Sequence, residues 1–297
     1  MMGELDNNNL DAFFEKIKSK FTPEYFEELS RNAYIEDRNY PENYSNWIGA
    51  ILNPGDFKQV NTIANQIFTY EETECMRKSE TLSEINKEEL TKILAPTIEK
   101  MAPDRLYSIK NGCFSNKFTF STSVANQNNL VEQLWKINYA SALLDTGGYT
   151  ELVVRELIDY NRETTPTIYD GMPLREEIRV FYNIDTECIE YMVDYWDYDY
   201  CRPNITNKTD QIIFDWFHNK ISGRTENHQR CLTDIMNRIS NMKMPIFDKQ
   251  KINGIWSIDF MYIQETDEIY LIDMARAFRS AYWDVSRCKG GSKNEST

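Results

Sequence analysis

The sequence predicts an α+β fold in which a mostly helical N-terminal region precedes two strand-rich segments. Residues 1–100 are polar, with apolar residues at helical spacing; Leu10, Phe13, Phe14 and Ile17 share one helix face. From Leu106 onward the texture changes to short β-rich runs separated by turn residues. Gly254–Asp284 then reads as two strands, in which Trp256, Ile258, Phe260 and Tyr262 alternate with Ser257, Asp259, Met261 and Ile263. The divisions expected from these patterns are a helical region over 1–100, a lysine-bearing segment over 101–165, a carboxylate-bearing segment over 166–285, and a flexible tail over 286–297.

Taken in order, Thr22-Pro23 has the chemistry of a helix start, with Thr as cap and Pro at the first position. Asn43–Asp56 is aromatic and loop-like, and Asn53-Pro54-Gly55 is a turn signal. Helical spacing returns at Asn86–Leu94, where Glu89 follows Asn86 at capping-box distance, and Pro96 interrupts or restarts it. Leu106–Lys110 is a short strand, followed by a small-residue turn and then Lys117. Two lysines flanking such a turn can bind polyphosphate or decorate an ordinary hairpin. The spacing is not that of a Walker loop.

A helix from Leu130 to about Leu144 ends at Gly147-Gly148. Tyr149–Ile158 is β-rich, with Arg155 and Glu156 inside it; such charges face a ligand, pair with each other's neighbours, or reach solvent. After a polar loop and the Asp170-Gly171 turn, Leu174–Asn183 places Arg179 on one face with Glu177 and Phe181. Cys188–Asp194 follows a turn at Asp185-Thr186. Tyr195–Tyr200, aromatic and acidic, fits an edge strand or packed loop better than a ligand-binding box. Residues 208–244 carry apolar stripes at helical spacing and read as core helices.

The hairpin carries the sharpest chemistry. If it folds symmetrically about Thr266, Ile263 faces Ile269, Met261 faces Leu271 and Asp259 faces Asp273, all on one side. Opposed carboxylates repel unless a cation lies between them. Mg²⁺ would serve, since it is commonly held by one or two carboxylates with substrate phosphates. Solvent exposure, or pairing with Arg276 or Arg279, would serve as well.

Composition sets bounds. With 297 residues, 41% hydrophobic and 13% aromatic, the chain can bury one large core or two smaller ones. A net charge of −14 argues against a general nucleic-acid or anionic-membrane binder, though a small basic pocket could still hold phosphates. The six cysteines lack metal-ligand spacing, the N-terminus lacks a secretory signal, and no apolar run is long enough to span a bilayer. A cytoplasmic protein with reduced thiols is expected. Only two histidines, His218 and His228, are present, which argues against a histidine triad or zinc centre.

The order of Ile109-Lys110-Asn111 with Ser115 and Lys117, Leu152–Arg155, Glu177–Phe181, and Ile258–Tyr262 with Tyr270–Asp273 resembles the ATP-grasp superfamily. Within it, the chain looks like the eukaryotic cell-division-cycle proteins that act as assembly chaperones for a translation initiation factor. The resemblance covers about 105–285 and implies an ATP-grasp fold, two α+β subdomains clasping a nucleotide. It implies ATP and Mg²⁺ as cofactors. Lys110 would contact the α- and β-phosphates, with Lys117 in the loop above them. Arg155, Glu156, Leu157 and Ile158 would hold the nucleotide at the hinge. Arg179, with Lys117, would stabilise charge on the γ-phosphate or an acyl phosphate, and Asp259 and Asp273 would hold metal.

Ala275 departs from the pattern, because many members place Asn there, two residues after the second metal carboxylate. The activity implied is an ATP-dependent carboxylate–amine ligase with an acyl-phosphate intermediate; its acceptor is unassigned, and the net charge of −14 favours a basic peptide or protein over a polyanion. The alternative is an ATP-binding assembly chaperone for a protein partner with little turnover. A lysyl-AMP nucleotidyltransferase built on Lys110-Asn111-Gly112 is a third reading.

Overall fold

The computed structural model describes residues 22–77, 84–144, 149–158, 165–221 and 228–289. The first helix among the described residues, α1 (Pro23–Arg38), starts as the sequence requires: Thr22 Oγ1 accepts from the Tyr25 amide at 3.3 Å, and Pro23 follows. The N-terminal stretch is not mainly helical beyond that point. It contains α2 (Tyr44–Ile48), then the strands β1 (Ile51–Asn53), β2 (Lys58–Gln59) and β3 (Thr62–Ile67), before α3 (Tyr70–Arg77) and α4 (Glu84–Ile98). Asn86 lies inside α4, so it cannot cap it. Pro96 sits in the last turn, where the helix runs on to Ile98. The segment around Leu10–Ile17, the Gly147-Gly148 helix stop and the residues from Gly290 lie outside the described residues.

Two sheets form the frame. One is built from β3, β6 (Glu151–Glu156), β4 (Tyr107–Lys110) and β5 (Val124–Ala125), in that order and antiparallel throughout. Its buried face, with Tyr107, Ile109, Leu152 and Val154, packs on Leu90 and Leu94 of α4 and on Leu130, Leu134 and Ile137 of α5 (Leu130–Leu143). Spacings of three and four on the helices and two on the strands bring these residues into register. Each fully buried leucine contributes about 1.5–3 kcal/mol.

The second sheet runs β10 (Cys188–Asp194), β9 (Glu177–Asn183), β12 (Ile255–Ile263), β13 (Glu268–Arg276) and β2, all antiparallel except the β13–β2 edge. Ile178, Val180, Ile258, Phe260 and Leu271 bury one face against Trp47 of α2 and against Leu232, Ile235 and Ile239 of α8 (His228–Asn241). Alternation turns Glu177, Arg179 and Asp259 to the opposite face. Two hairpin-like satellites complete the fold: β1 pairs with β11 (Ile246–Phe247), and β7 (Thr167–Ile168) pairs with β8 (Met172–Pro173). The latter packs with Phe214 and Phe217 of α7 (Lys208–Phe217), which follows the short α6 (Tyr198–Cys201).

The β12–β13 hairpin confirms one register expectation and corrects two. Asp259 does face Asp273, but Met261 faces Tyr270 and Ile263 faces Glu268. A bulge between these blocks leaves Ile272 without a directly opposed partner, shifting the pairing by one residue. Ile269 and Leu271 therefore join the core rather than the carboxylate face. The C-terminal boundary also moves: residues as far as Lys289 are held, with the Lys289 amide donating to Glu190 Oε2 at 2.7 Å. Among the described residues no helix is long and apolar enough to cross a membrane.

The turn after β4 depends on one glycine. Gly112 has φ +52°, and a Cβ there would come 2.5 Å from Asn43 Oδ1. Asn43 is fully buried, and its side-chain amide donates to the Asp37 carbonyl at 2.5 Å, so it has little room to yield. Gly112→Ala is expected to destabilise the fold by about 1–3 kcal/mol and to shift Lys110; chemical denaturation measures the first effect. A stability equal to the parent would show that this turn can relax.

Candidate functional site

The two sheets approach each other where β4 ends, and the space between them is lined by Ser108, Lys110, Ser115, Lys117, Arg155–Ile158, Met172, Pro173, Arg175, Glu177, Met261, Ile272 and Asp273. Four cations (Lys110, Lys117, Arg155, Arg175) face three carboxylates (Glu156, Glu177, Asp273) along this wall, an excess of one positive charge on a chain of net charge −14. Basic groups are thus concentrated where a low-dielectric wall strengthens their field.

Lys110, the last residue of β4, is only 2% exposed. Its Nζ lies 2.9 Å from Asp273 Oδ1, an ion pair that ties the two sheets together. Burial alone would raise the Asp273 pKa, but Lys110, Lys117 and Arg155 outweigh it and hold the carboxyl below its ordinary value. Lys110 and the Met274 amide both engage Oδ1, so Oδ2 is the oxygen Asp273 can offer to a metal.

Arg179 grips Asp259 in a bidentate pair at 2.7 and 2.8 Å. Both side chains are nearly buried, at 11% and 5% exposure, and both sit behind the cleft lining rather than on it. Each member of the opposed carboxylate pair thus already has a protein cation. Those cations are Lys110 and Arg179, not Arg276 or Arg279. Arg276 binds Glu42 at 2.6 Å, and the Arg279 guanidinium lies 4.7 Å from the centre of the Tyr40 ring.

Arg155, Glu156, Leu157 and Ile158 line the cleft together. The Arg155 guanidinium donates to the Ile272 carbonyl at 2.6 Å, while Glu156 pairs with Arg105 at 3.0 Å. Glu156, Leu157 and Ile158, with Val60, also line an adjoining groove of about 590 Å³ that includes Gln59, Asn61 and Thr266.

Two groups essential to this geometry have weaker sequence signals. Tyr195 follows β10 in the stretch that reads as packed loop, yet its hydroxyl accepts from Lys117 Nζ at 2.7 Å. Its ring also lies 4.6 Å from Lys117 Nζ and 4.8 Å from the Arg179 guanidinium. Glu177 is fully buried; its Oε1 accepts from Trp196 Nε1 at 3.3 Å, and its Oε2 has no hydrogen-bond partner among the described residues. Burial pushes the Glu177 carboxyl up to about 7, with Lys117 opposing the rise and Asp259 adding to it. The face shared by Glu177 and Arg179 is legible in strand alternation. The cross-strand reach of Tyr195 is not.

Glu177 Oε2 and Asp273 Oδ2 fit a divalent cation by donor chemistry, whereas Asp259, expected as a second metal ligand, has both oxygens taken by Arg179. The enclosed part of the cleft, about 110 Å³, is smaller than the ~300 Å³ at which ligand pockets begin.

No family model and no curated protein sequence matches the chain. Among solved structures it is similar to Cdc123 from Schizosaccharomyces pombe, with 10% identity over 83% of this chain and 85% of that one, at a TM-score of 0.38. The C-terminally truncated form of the same yeast protein is similar over 82% and 86%, again at 10% identity, with a TM-score of 0.39.

Proposed function

We propose that the cleft binds a magnesium nucleoside triphosphate, ATP by the resemblance of the sequence, and that the chain works as a nucleotide-dependent assembly factor for a protein partner. The observation that carries this reading is the convergence of Lys110, Lys117, Arg155 and Arg175 with Glu177 and Asp273 on one wall. Phosphate oxygens would take over the hydrogen bonds that Lys110 and Lys117 now make, each being worth about 1.5–3 kcal/mol when charge-assisted. The base would lie along Leu157 and Ile158. Mg²⁺, held through Asp273 and Glu177 with Asp259 behind them, would neutralise phosphate charge. Lys110 and Asp273 come from different sheets, so a ligand between them couples nucleotide binding to the spacing of the sheets.

The ligase reading asks Arg179 to meet the γ-phosphate. Its pairing with Asp259 behind the lining and the Ala275 side chain both favour binding over turnover. The acidic surface suits a basic peptide or protein partner and disfavours a polyanion.

Thermal unfolding with ATP, ADP, AMP and GTP, each with and without Mg²⁺, tests this directly. At a hundredfold excess over Kd, a bound nucleotide adds about 2.7 kcal/mol, or roughly 5 °C for a chain of this size. A Mg²⁺-dependent shift with ATP and little phosphate release supports the assembly factor. Rapid ADP release with a carboxylate and an amine present restores the ligase, and no shift with any nucleotide removes both.

A further inference from the structure

The two histidines of the chain, ten residues apart in sequence, meet in space. His218 follows the last turn of α7, His228 opens α8, and their ring centres are 4.6 Å apart. Asp194, the last residue of β10, completes the group: one ligand atom from each of Asp194, His218 and His228 lies within 4.8 Å of the others. The cluster is walled by Phe217, whose ring centre is 4.3 Å from that of His228.

His228 is fully buried, with Nε2 3.2 Å from Asp194 Oδ2 and Nδ1 3.4 Å from Glu176 Oε1. Two arrangements satisfy this geometry. An imidazolium can donate to both carboxylates. Alternatively, a neutral ring can keep its proton on Nδ1 for Glu176 and share a metal with Asp194 through Nε2. The 3.2 Å separation is close to the ~3.3 Å expected between two ligands each about 2.0–2.1 Å from a tetrahedral ion. A carboxylate on the far ring nitrogen is the usual outer partner of a metal-bound histidine.

The second imidazole decides between them. An imidazolium is satisfied by its two carboxylates and by the rings of Phe217 and His218 beside it, an arrangement that asks nothing of a His218 ring nitrogen. Two imidazoles and one carboxylate with converging ligand atoms form a donor set suited to Zn²⁺. We infer that His218, His228 and Asp194 form a transition-metal site matched to Zn²⁺, with Glu176 orienting His228. This revises the expectation that two histidines are too few for such a centre.

Strand alternation gives the site a consequence. Glu177 points into the cleft and Tyr195 reaches Lys117 on its wall, while their neighbours Glu176 and Asp194 face the histidines. An ion here would pin the ends of β9 and β10 to α7 and α8, and so hold the cleft residues in place. The site does not depend on the nucleotide reading.

The test is elemental analysis of the purified full chain, followed by chelation and titration with Co²⁺ as a visible probe. One Zn²⁺ per chain is expected, as is a single Co²⁺ site with ligand-field bands and no thiolate charge-transfer band. His218→Gln and Asp194→Asn should each weaken Co²⁺ binding at least 100-fold, and Glu176→Gln about 10- to 100-fold. His228→Gln risks unfolding, so the folded parent provides the primary readout. A folded parent that takes up neither metal, thiolate bands, or binding unchanged in His218→Gln would each overturn the site.

Discussion

Lys110→Met is expected to weaken Mg²⁺-ATP binding by about 100-fold in a calorimetric titration, the largest single effect in the cleft. The substitution keeps the aliphatic stem, which is packed and almost wholly buried, and removes the ammonium. Phosphate then loses one charge-assisted contact, worth about 1.5–3 kcal/mol, and meets a wall with no excess positive charge. Asp273 also loses its partner at 2.9 Å, but at 24% side-chain exposure it can recover part of its hydration. The stability cost should therefore be about 1–3 kcal/mol, below that of a fully buried orphan.

The reverse deletion behaves differently. Asp273→Asn strands a 3%-exposed lysine and should cost about 3 kcal/mol, lowering the metal-free melting temperature. This outcome is opposite to simple relief of carboxylate repulsion, because the structure already neutralises both aspartates. The double variant Lys110→Met/Asp273→Asn separates the roles, since it should recover stability without recovering nucleotide binding. Parent-like affinity in Lys110→Met would remove Lys110 from the phosphate site.

What the sequence made legible follows from the range of the interactions involved. Strand alternation places Asp259 opposite Asp273 and Arg179 beside Glu177, because both relations lie within one hairpin or one strand. It does not show that Lys110 reaches Asp273 across 163 positions, or that Lys117 reaches Tyr195 across 78. The bulge at Ile272 was hidden for a related reason: an extra residue alters register without altering composition. Likewise β3 pairs with β6, almost ninety residues later, so its short run at Thr62–Ile67 has no local signature separating it from loop. The histidine cluster needs three elements to meet, and the apolar stripes over residues 208–244 point only to core helices.

Glu177 makes a pH prediction of opposite sign to that of Asp273. Its carboxyl is raised to about 7 in the folded state, against 4.5 in the unfolded chain. Between those values the folded state holds more protons than the unfolded one, so stability falls as pH rises through this window. The difference corresponds to about 3 kcal/mol lost by pH 8. Asp273, held below its ordinary value, contributes stability that is present at neutral pH and lost in acid. The parent should therefore melt highest in mildly acidic solution and lose stability on both sides. Glu177→Gln, which cannot ionise, should flatten the fall between pH 5 and 8 while leaving the acid limb in place. Mg²⁺ alone should flatten the same limb in the parent, by stabilising the ionised carboxylate, and should do nothing to Glu177→Gln. Denaturation series across pH measure all three slopes. An unchanged alkaline limb in Glu177→Gln would assign the fall to another group, and a Mg²⁺ effect that survives the substitution would move the cation away from Glu177.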